Sequence, residues 1–145
     1  MDFGHWILKE GVELNENTFG FIYEIVNNVN NKKYIGKKQC FMRIKRKPLK
    51  GYKRNRISKA ESDWKSYTSS SKDLNEDIVK YGKDNFTFNI IKTCDSKWSL
   101  AYFEIKEQLE RNVLLRDDYY NGIISVRIGT PPKEELDKFK NKVII

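Results

Sequence analysis

The chain has 145 residues, with 28 Lys plus Arg against 20 Asp plus Glu and one His, for a formal charge of +8. That length suits one domain, which buries roughly 68–70% of its unfolded surface without covalent staples, and 39% hydrophobic with 13% aromatic residues exclude a disordered chain. Two cysteines, Cys40 and Cys94, exclude a disulfide framework and a four-ligand zinc site, and the single imidazole, His5, excludes chemistry built on a His pair.

Residues 1–18 read as an N-terminal arm or edge element anchored by Trp6. Asp2 stands where a signal peptide carries cations, the apolar stretch is too short for one, and no run approaches the ~18 apolar residues of a membrane helix. A soluble, intracellular chain with no membrane contact is expected. Phe19 to Val26 (FGFIYEIV) is β-branched and aromatic and predicts a strand; the Asn-rich turn 27–31 and Lys32 to Ile35, closed by Gly36, complete a hairpin. A basic segment follows, interrupted by Pro48 and Gly51, which predicts a second hairpin or an extended loop rather than a helix. Glu61 to Tyr67 predicts a turn of helix.

Ser69-Ser70-Ser71 supplies capping hydroxyls for a helix from Lys72 to Tyr81, with Leu74, Ile78 and Tyr81 on one face and Gly82 past its end. Asn85 to Lys92 alternates Phe86, Phe88 and Ile90 on one face and predicts a strand. Ser96 to Leu115 is the longest helical pattern. Ile123 to Ile128 reads as a last strand, and Pro131-Pro132 breaks the chain before a short helix, Lys133 to Lys140. The order is ββ, loop, α, β, α, β, α, an α/β (α+β) sandwich with a small mixed or antiparallel sheet flanked by helices. Its divisions are the arm 1–18, a central domain 19–130 with a basic insertion 37–60, and a C-terminal helical tail 131–145.

The positive charge is a patch. From Lys32 to Lys59 there are 13 basic residues and no acidic one, whereas the rest of the chain carries 15 basic and 20 acidic residues. A patch of this density suits a polyanion, held by counterion release and weakened by salt, and nucleic acid is the expected partner. Lys37, Lys38, Arg43, Lys45, Arg46, Lys47, Lys53 and Arg54 are the expected DNA contacts.

Gly20-Phe21-Ile22-Tyr23 and Tyr34-Ile35-Gly36 resemble the two halves of the GIY-YIG nuclease signature, with Phe21 where the first triplet has Gly. The tyrosines are 11 positions apart, as two paired strands and a short turn require. Ser70-Ser71, Leu74, Lys80-Tyr81-Gly82, Asn85-Phe86 and Ile90-Ile91 resemble the run that follows the signature in phage and intron-encoded members. Glu104 and Asn121 match the positions of the family's metal-binding glutamate and its late asparagine. The resemblance spans Phe19 to Ile123. It implies metal-dependent hydrolysis of DNA phosphodiesters, with Mg²⁺ (or Mn²⁺) on Glu104, and for a viral or mobile element a site of action in the host-cell cytoplasm.

In that scheme a cation neutralises the scissile phosphate and a carboxylate is its preferred ligand. Tyr23 is expected to accept or relay the proton of the attacking water, provided that nearby cations lower its pKa. Tyr34 is expected to hydrogen-bond the phosphate or the water. An arginine is expected to stabilise the transition state. The family's spacing after the second triplet lands at Ile44, whereas counting back from Leu74 lands near Arg56, so the segment carries an insertion. Arg56 is preferred, with Arg54, Arg46 and Arg43 as rivals; Glu107 rivals Glu104. Cutting both strands requires two actions or a transient second copy, and long-site specificity requires a further site-reading domain or a separate partner.

Two other readings remain open. Glu104-Ile105-Lys106 forms an ExK triplet, but that motif belongs on a strand and here lies in a helical pattern. A non-catalytic nucleic-acid-binding module would account for the basic patch as well as a nuclease does.

Overall fold

A computed structural model describes residues 2–125 and 127–140, the side chain of residue 140 excepted. Its strands are β1 (Trp6–Leu8), β2 (Gly20–Asn27), β3 (Lys33–Gln39), β4 (Phe41–Arg46), β5 (Arg56–Glu61) and β6 (Phe86–Cys94). Its α-helices are α1 (Lys72–Tyr81), α2 (Lys97–Glu110) and α3 (Lys133–Lys140), with single 3-10 turns at Trp64–Ser66 and Lys83–Asn85. Four strands form one mixed sheet in the order β1-β6-β2-β3, in which β6 and β3 run antiparallel to β2 and β1 runs parallel to β6. The fold is the mixed α/β sandwich expected.

Alternation along β2 makes the two layers. Phe21, Tyr23 and Ile25 face one side, where they meet Trp6, Trp64, Phe86, Phe88, Ile90 and Leu74 of α1. Ile22 faces the other side and packs with Ile35, Cys94, Val113, Tyr119 and Leu100 of α2. A bulge changes the alternation of β6: Tyr23 pairs with Ile90 and Ile22 with Lys92, leaving Ile91 without an opposite number. Phe86, Phe88 and Ile90 therefore point to the α1 side and Cys94 to the α2 side.

Local chemistry fixes the helices. Ser71 caps α1, accepting from the Leu74 N–H. Ser96 and Ser99 form a reciprocal capping box on α2. The helical pattern continues to Leu115 in sequence, yet α2 ends at Glu110. Asn112 takes a left-handed φ of 54°; its N–H bonds to the Leu109 carbonyl, and the Val113 N–H to the Gln108 carbonyl. That is a Schellman stop with asparagine where glycine is usual.

Two further boundaries differ from expectation, and the N-terminal arm takes the edge-element form of its two expected ones. Strand β3 continues through Gly36 to Gln39, because Gly36 keeps its pairing with Tyr23. Residues 1–18 contribute the strand β1, whose Trp6 is buried in the α1-side core. Ile123 to Ile128 does not form a strand among the described residues; Val126 lies outside them. The chain arrives beside β3 at Tyr119, which bridges to Lys33 in parallel. The Asn121 side chain then occupies the next backbone sites of β3, and Ile123 is 74% exposed, with no sheet face to cover.

The basic segment is a hairpin, β4 with β5, in a two-stranded sheet of its own that springs from the end of β3. Residues 131–140 carry α3, whose Phe139 lies against Trp98 and Phe103 of α2. No described helix is long and apolar enough to cross a membrane.

Candidate active site

Pairing of β2 with β3 sets Tyr23 opposite Gly36 and Tyr34 opposite Ile25, so both tyrosines lie on the α1 side of the sheet. Their ring centroids are 6.1 Å apart. Gly36 makes this arrangement available: a Cβ there would stand 2.5 Å from the Tyr23 hydroxyl and 2.9 Å from the Tyr34 ring. Tyr67 closes the group, with its ring centroid 6.2 Å from that of Tyr23 and the Lys38 ammonium 4.0 Å above its own ring. Lys38 is held by an ion pair with Asp63 at 2.7 Å.

Tyr23 is 1% exposed. Burial, followed by the phenols of Tyr34 and Tyr67 and the carboxylate of Glu104, holds its pKa well above the ordinary tyrosine value. The expected lowering by cations is thus reversed: cations such as Lys38 sit on the outer ring, Tyr67, while a carboxylate and two phenols face the inner one. Tyr23 keeps its proton at neutral pH. Tyr34 is half-buried, and burial also raises its pKa, partly offset by the neighbouring Ser70 hydroxyl.

The outer edge of β3 is the second half of the site. Odd-numbered residues of β3 turn their backbone groups away from β2, and each meets a different partner. The Lys33 N–H donates to the Asp118 carbonyl at 2.9 Å and the Lys33 carbonyl accepts from Tyr120 at 2.7 Å. Ile35 is bracketed by Asn121, whose Oδ1 accepts from the Ile35 N–H at 3.0 Å while Nδ2 donates to the Ile35 carbonyl at 2.8 Å. Gln108 of α2 donates to the same carbonyl at 3.0 Å. The Lys37 N–H meets the carboxylate of Glu104. Burial raises the Glu104 pKa, against the pull of the Lys37 ammonium and N–H. This carboxylate at the edge of β3 acts electrostatically on both Tyr23 and Tyr34.

Glu107, one turn further along α2, has other work. It accepts from Arg111 Nε at 2.9 Å, and the same guanidinium binds Glu24 and reaches the Tyr119 hydroxyl. Asn121 is 7% exposed with both amide atoms engaged on Ile35, which makes it a brace for β3. Cys40 and Cys94 are buried free thiols, pushed up by burial to about 12 and about 11.

The structure brings together Tyr23, Tyr34 and Glu104 but does not bring Arg56 to them. Arg56 pairs with Arg46 at the far end of the ribbon, and its Nε donates to the Lys47 carbonyl. Arg54 lies in the loop beyond. Of the four arginines, Arg43 is nearest the base of the ribbon, in its third pair, opposite Lys59. Lys37 and Lys38 flank the site directly. Sequence reasoning passed over Tyr67 as a neighbour of Tyr23, and over Gln108, because neither contact has a fixed spacing along the chain.

Among the described residues there is no group of three or more His, Cys, Asp or Glu side chains able to hold a metal. What exists is one hard oxygen ligand, half-buried, next to a basic edge. That donor set fits Mg²⁺, which binds through one or two carboxylates and keeps waters and substrate phosphate for its other positions. It does not fit zinc or a softer metal.

A family model described as "Putative endonuclease segE, GIY-YIG domain" matches residues 6–124. No curated protein and no solved structure gives a match.

Proposed function

The chain belongs to the GIY-YIG endonuclease family, and from that premise we propose that it hydrolyses DNA phosphodiester bonds with one divalent cation, Mg²⁺ or Mn²⁺, held by Glu104. The observation that carries the reading is the placement of Glu104 at the outer edge of β3, acting on the Tyr23–Tyr34 pair, while Glu107 is committed to Arg111. A bound Mg²⁺ would neutralise the phosphate and assist departure of the leaving oxygen. Tyr23, protonated and 1% exposed in the resting protein, packs against Tyr34 and fixes the phenol that meets the attacking water. Tyr34, steadied by Ser70, hydrogen-bonds the phosphate or that water. Lys37 and Lys38 supply positive charge at the site, and Arg43 is the arginine best placed to reach the phosphate from the ribbon.

The test is a supercoiled plasmid incubated with Mg²⁺, with EDTA, and with the variants Glu104→Ala and Glu107→Gln. Nicked or linear product is expected with Mg²⁺ alone. Glu104→Ala should cost at least about 100-fold in rate, as loss of a central electrostatic group does. Glu107→Gln should still cut below its lowered melting temperature. Salt-sensitive retention of plasmid and of short duplexes, with no cleavage under any divalent cation, would replace this reading with a non-catalytic binding module.

A further inference from the structure

We propose that the β4–β5 ribbon enters the major groove of the bound DNA and holds it there, an inference that rests on the nuclease reading for its choice of polyanion. Between Phe41 and Ala60 the chain carries nine cations, Arg43, Lys45, Arg46, Lys47, Lys50, Lys53, Arg54, Arg56 and Lys59, and no acid.

Register distributes these cations in a telling way. Arg43, Lys45 and Lys59 lie on one face of the ribbon, Arg46 and Arg56 on the other, and the remaining four in the connecting loop. A flat anionic surface would call for charge on one face. A ribbon charged on both faces and at its tip suits a slot with phosphates along both walls. The major groove of B-DNA, about 12 Å wide, admits a two-stranded ribbon, whereas the minor groove, about 6 Å wide, does not. Strands of six residues reach roughly 17–20 Å, about five base-pair steps of duplex.

Three other features point the same way. The ribbon's strands pair only with each other beyond their anchor at Phe41 and Ser62, and a two-stranded sheet is marginal in water, so a bound partner would steady its outer half. Arg46 and Arg56 are exposed but braced through Nε, to the Ser58 hydroxyl at 2.9 Å and the Lys47 carbonyl at 3.3 Å. Bracing reduces the side-chain freedom a contact with a base edge would remove. Between ribbon and body lies a cleft of about 680 Å³, floored by Phe19, Phe41 and Ile57 and rimmed by Arg43, Lys59 and Lys97. It offers a cationic channel for the one sugar-phosphate backbone that the ribbon's inner face would meet.

The experiment uses the full chain carrying Glu104→Ala, in EDTA, with a fluorescent duplex of mixed sequence and the same strand alone, read by anisotropy. The duplex should bind at least tenfold more tightly than the single strand. Methyl green, which fills the major groove, should displace the protein; netropsin, which fills the minor groove, should not. Adding Arg43→Gln, Arg46→Gln, Arg54→Gln and Arg56→Gln, with the circular dichroism spectrum checked, should reduce the slope of log affinity against log salt by about 2, one for each of the phosphate contacts of Arg43 and Arg54. Binding by the unaltered ribbon that ignores methyl green but yields to netropsin, or equal affinity for single strand and duplex, would overturn the proposal. Plasmid cleavage by the wild-type chain, run in parallel, separates the two claims: methyl-green-sensitive binding without cleavage upholds the ribbon and fails the nuclease reading, and cleavage with methyl-green-indifferent binding does the reverse.

Discussion

Gly36 decides whether the two tyrosines can face each other across β2 and β3. Tyr23 is buried on all sides and has no room to retreat from a new methyl group, which would stand 2.5 Å from its hydroxyl and 2.6 Å from Cζ. Gly36→Ala is therefore expected to destabilise the chain by about 1–3 kcal/mol, the range for overpacking a filled core. Cleavage should be lost at temperatures where the variant is still folded. Gly122→Ala is the control, since nothing lies within 4 Å of a Cβ there; urea denaturation should find it within about 0.5 kcal/mol of wild type. The triplets that hold these residues were legible in sequence because pairing and alternation have fixed periods. The protonation of Tyr23 was not, since it depends on which groups the fold brings around the phenol. Arg56 was misleading for a similar reason: a count along the chain has no meaning across a hairpin that leaves the sheet.

At the scale of elements, the edge of β3 shows why a predicted last strand failed to form. Ile123 to Ile128 has a strand's composition, but two residues earlier Asn121 uses its amide to satisfy both backbone groups of Ile35, as a neighbouring strand would have done. A side chain thus ends the sheet, and β propensity downstream has nothing to pair with. Composition cannot reveal this, because Asn-Gly signals a turn in any protein. The helix α1, by contrast, was readable end to end: its cap, its apolar spacing and its terminal glycine are all local. The brace yields a prediction. Asn121→Ala leaves a buried N–H without its acceptor and should cost about 1–3 kcal/mol. Hydrogen exchange should locate the loss, with the Ile35 amide exchanging faster while the amides of α1 keep their protection relative to global unfolding. Equal acceleration in both, once corrected for global stability, would mean that Asn121 does not brace β3 in particular.

The whole molecule depends on an N-terminal segment that ties together parts distant in sequence. His5 stacks on Phe88 of β6 with centroids 3.9 Å apart, and its Nε2 lies 3.0 Å from the Tyr67 carbonyl, next to the tyrosine group. Trp6, one residue on, donates from its indole to the Trp64 carbonyl. Burial, aided by Lys83 and opposed by the Tyr67 carbonyl, lowers the His5 pKa to about 4, from about 6.5 in an unfolded chain. The folded state thus binds a proton less readily than the unfolded state. The stability this contributes is complete above pH 6.5 and is lost as the pH falls through 4. From pH 7 to pH 5 the loss from this group should be about 1–2 kcal/mol after allowance for solvent screening. Glu104, with its raised pKa, works in the opposite direction over the lower part of that range, so the total slope is not diagnostic. The difference between wild type and His5→Phe is, because the variant keeps a ring on Phe88 and loses the titrating group, and the hydrogen bond to Tyr67 lost with it is absent at both pH values. Urea midpoints at pH 7 and pH 5 should shift less in His5→Phe than in wild type by the equivalent of that 1–2 kcal/mol. Parallel shifts in the two proteins would show that His5 is free to protonate in the folded chain, and that the N-terminal segment is held by Trp6 and the β1–β6 pairing without it.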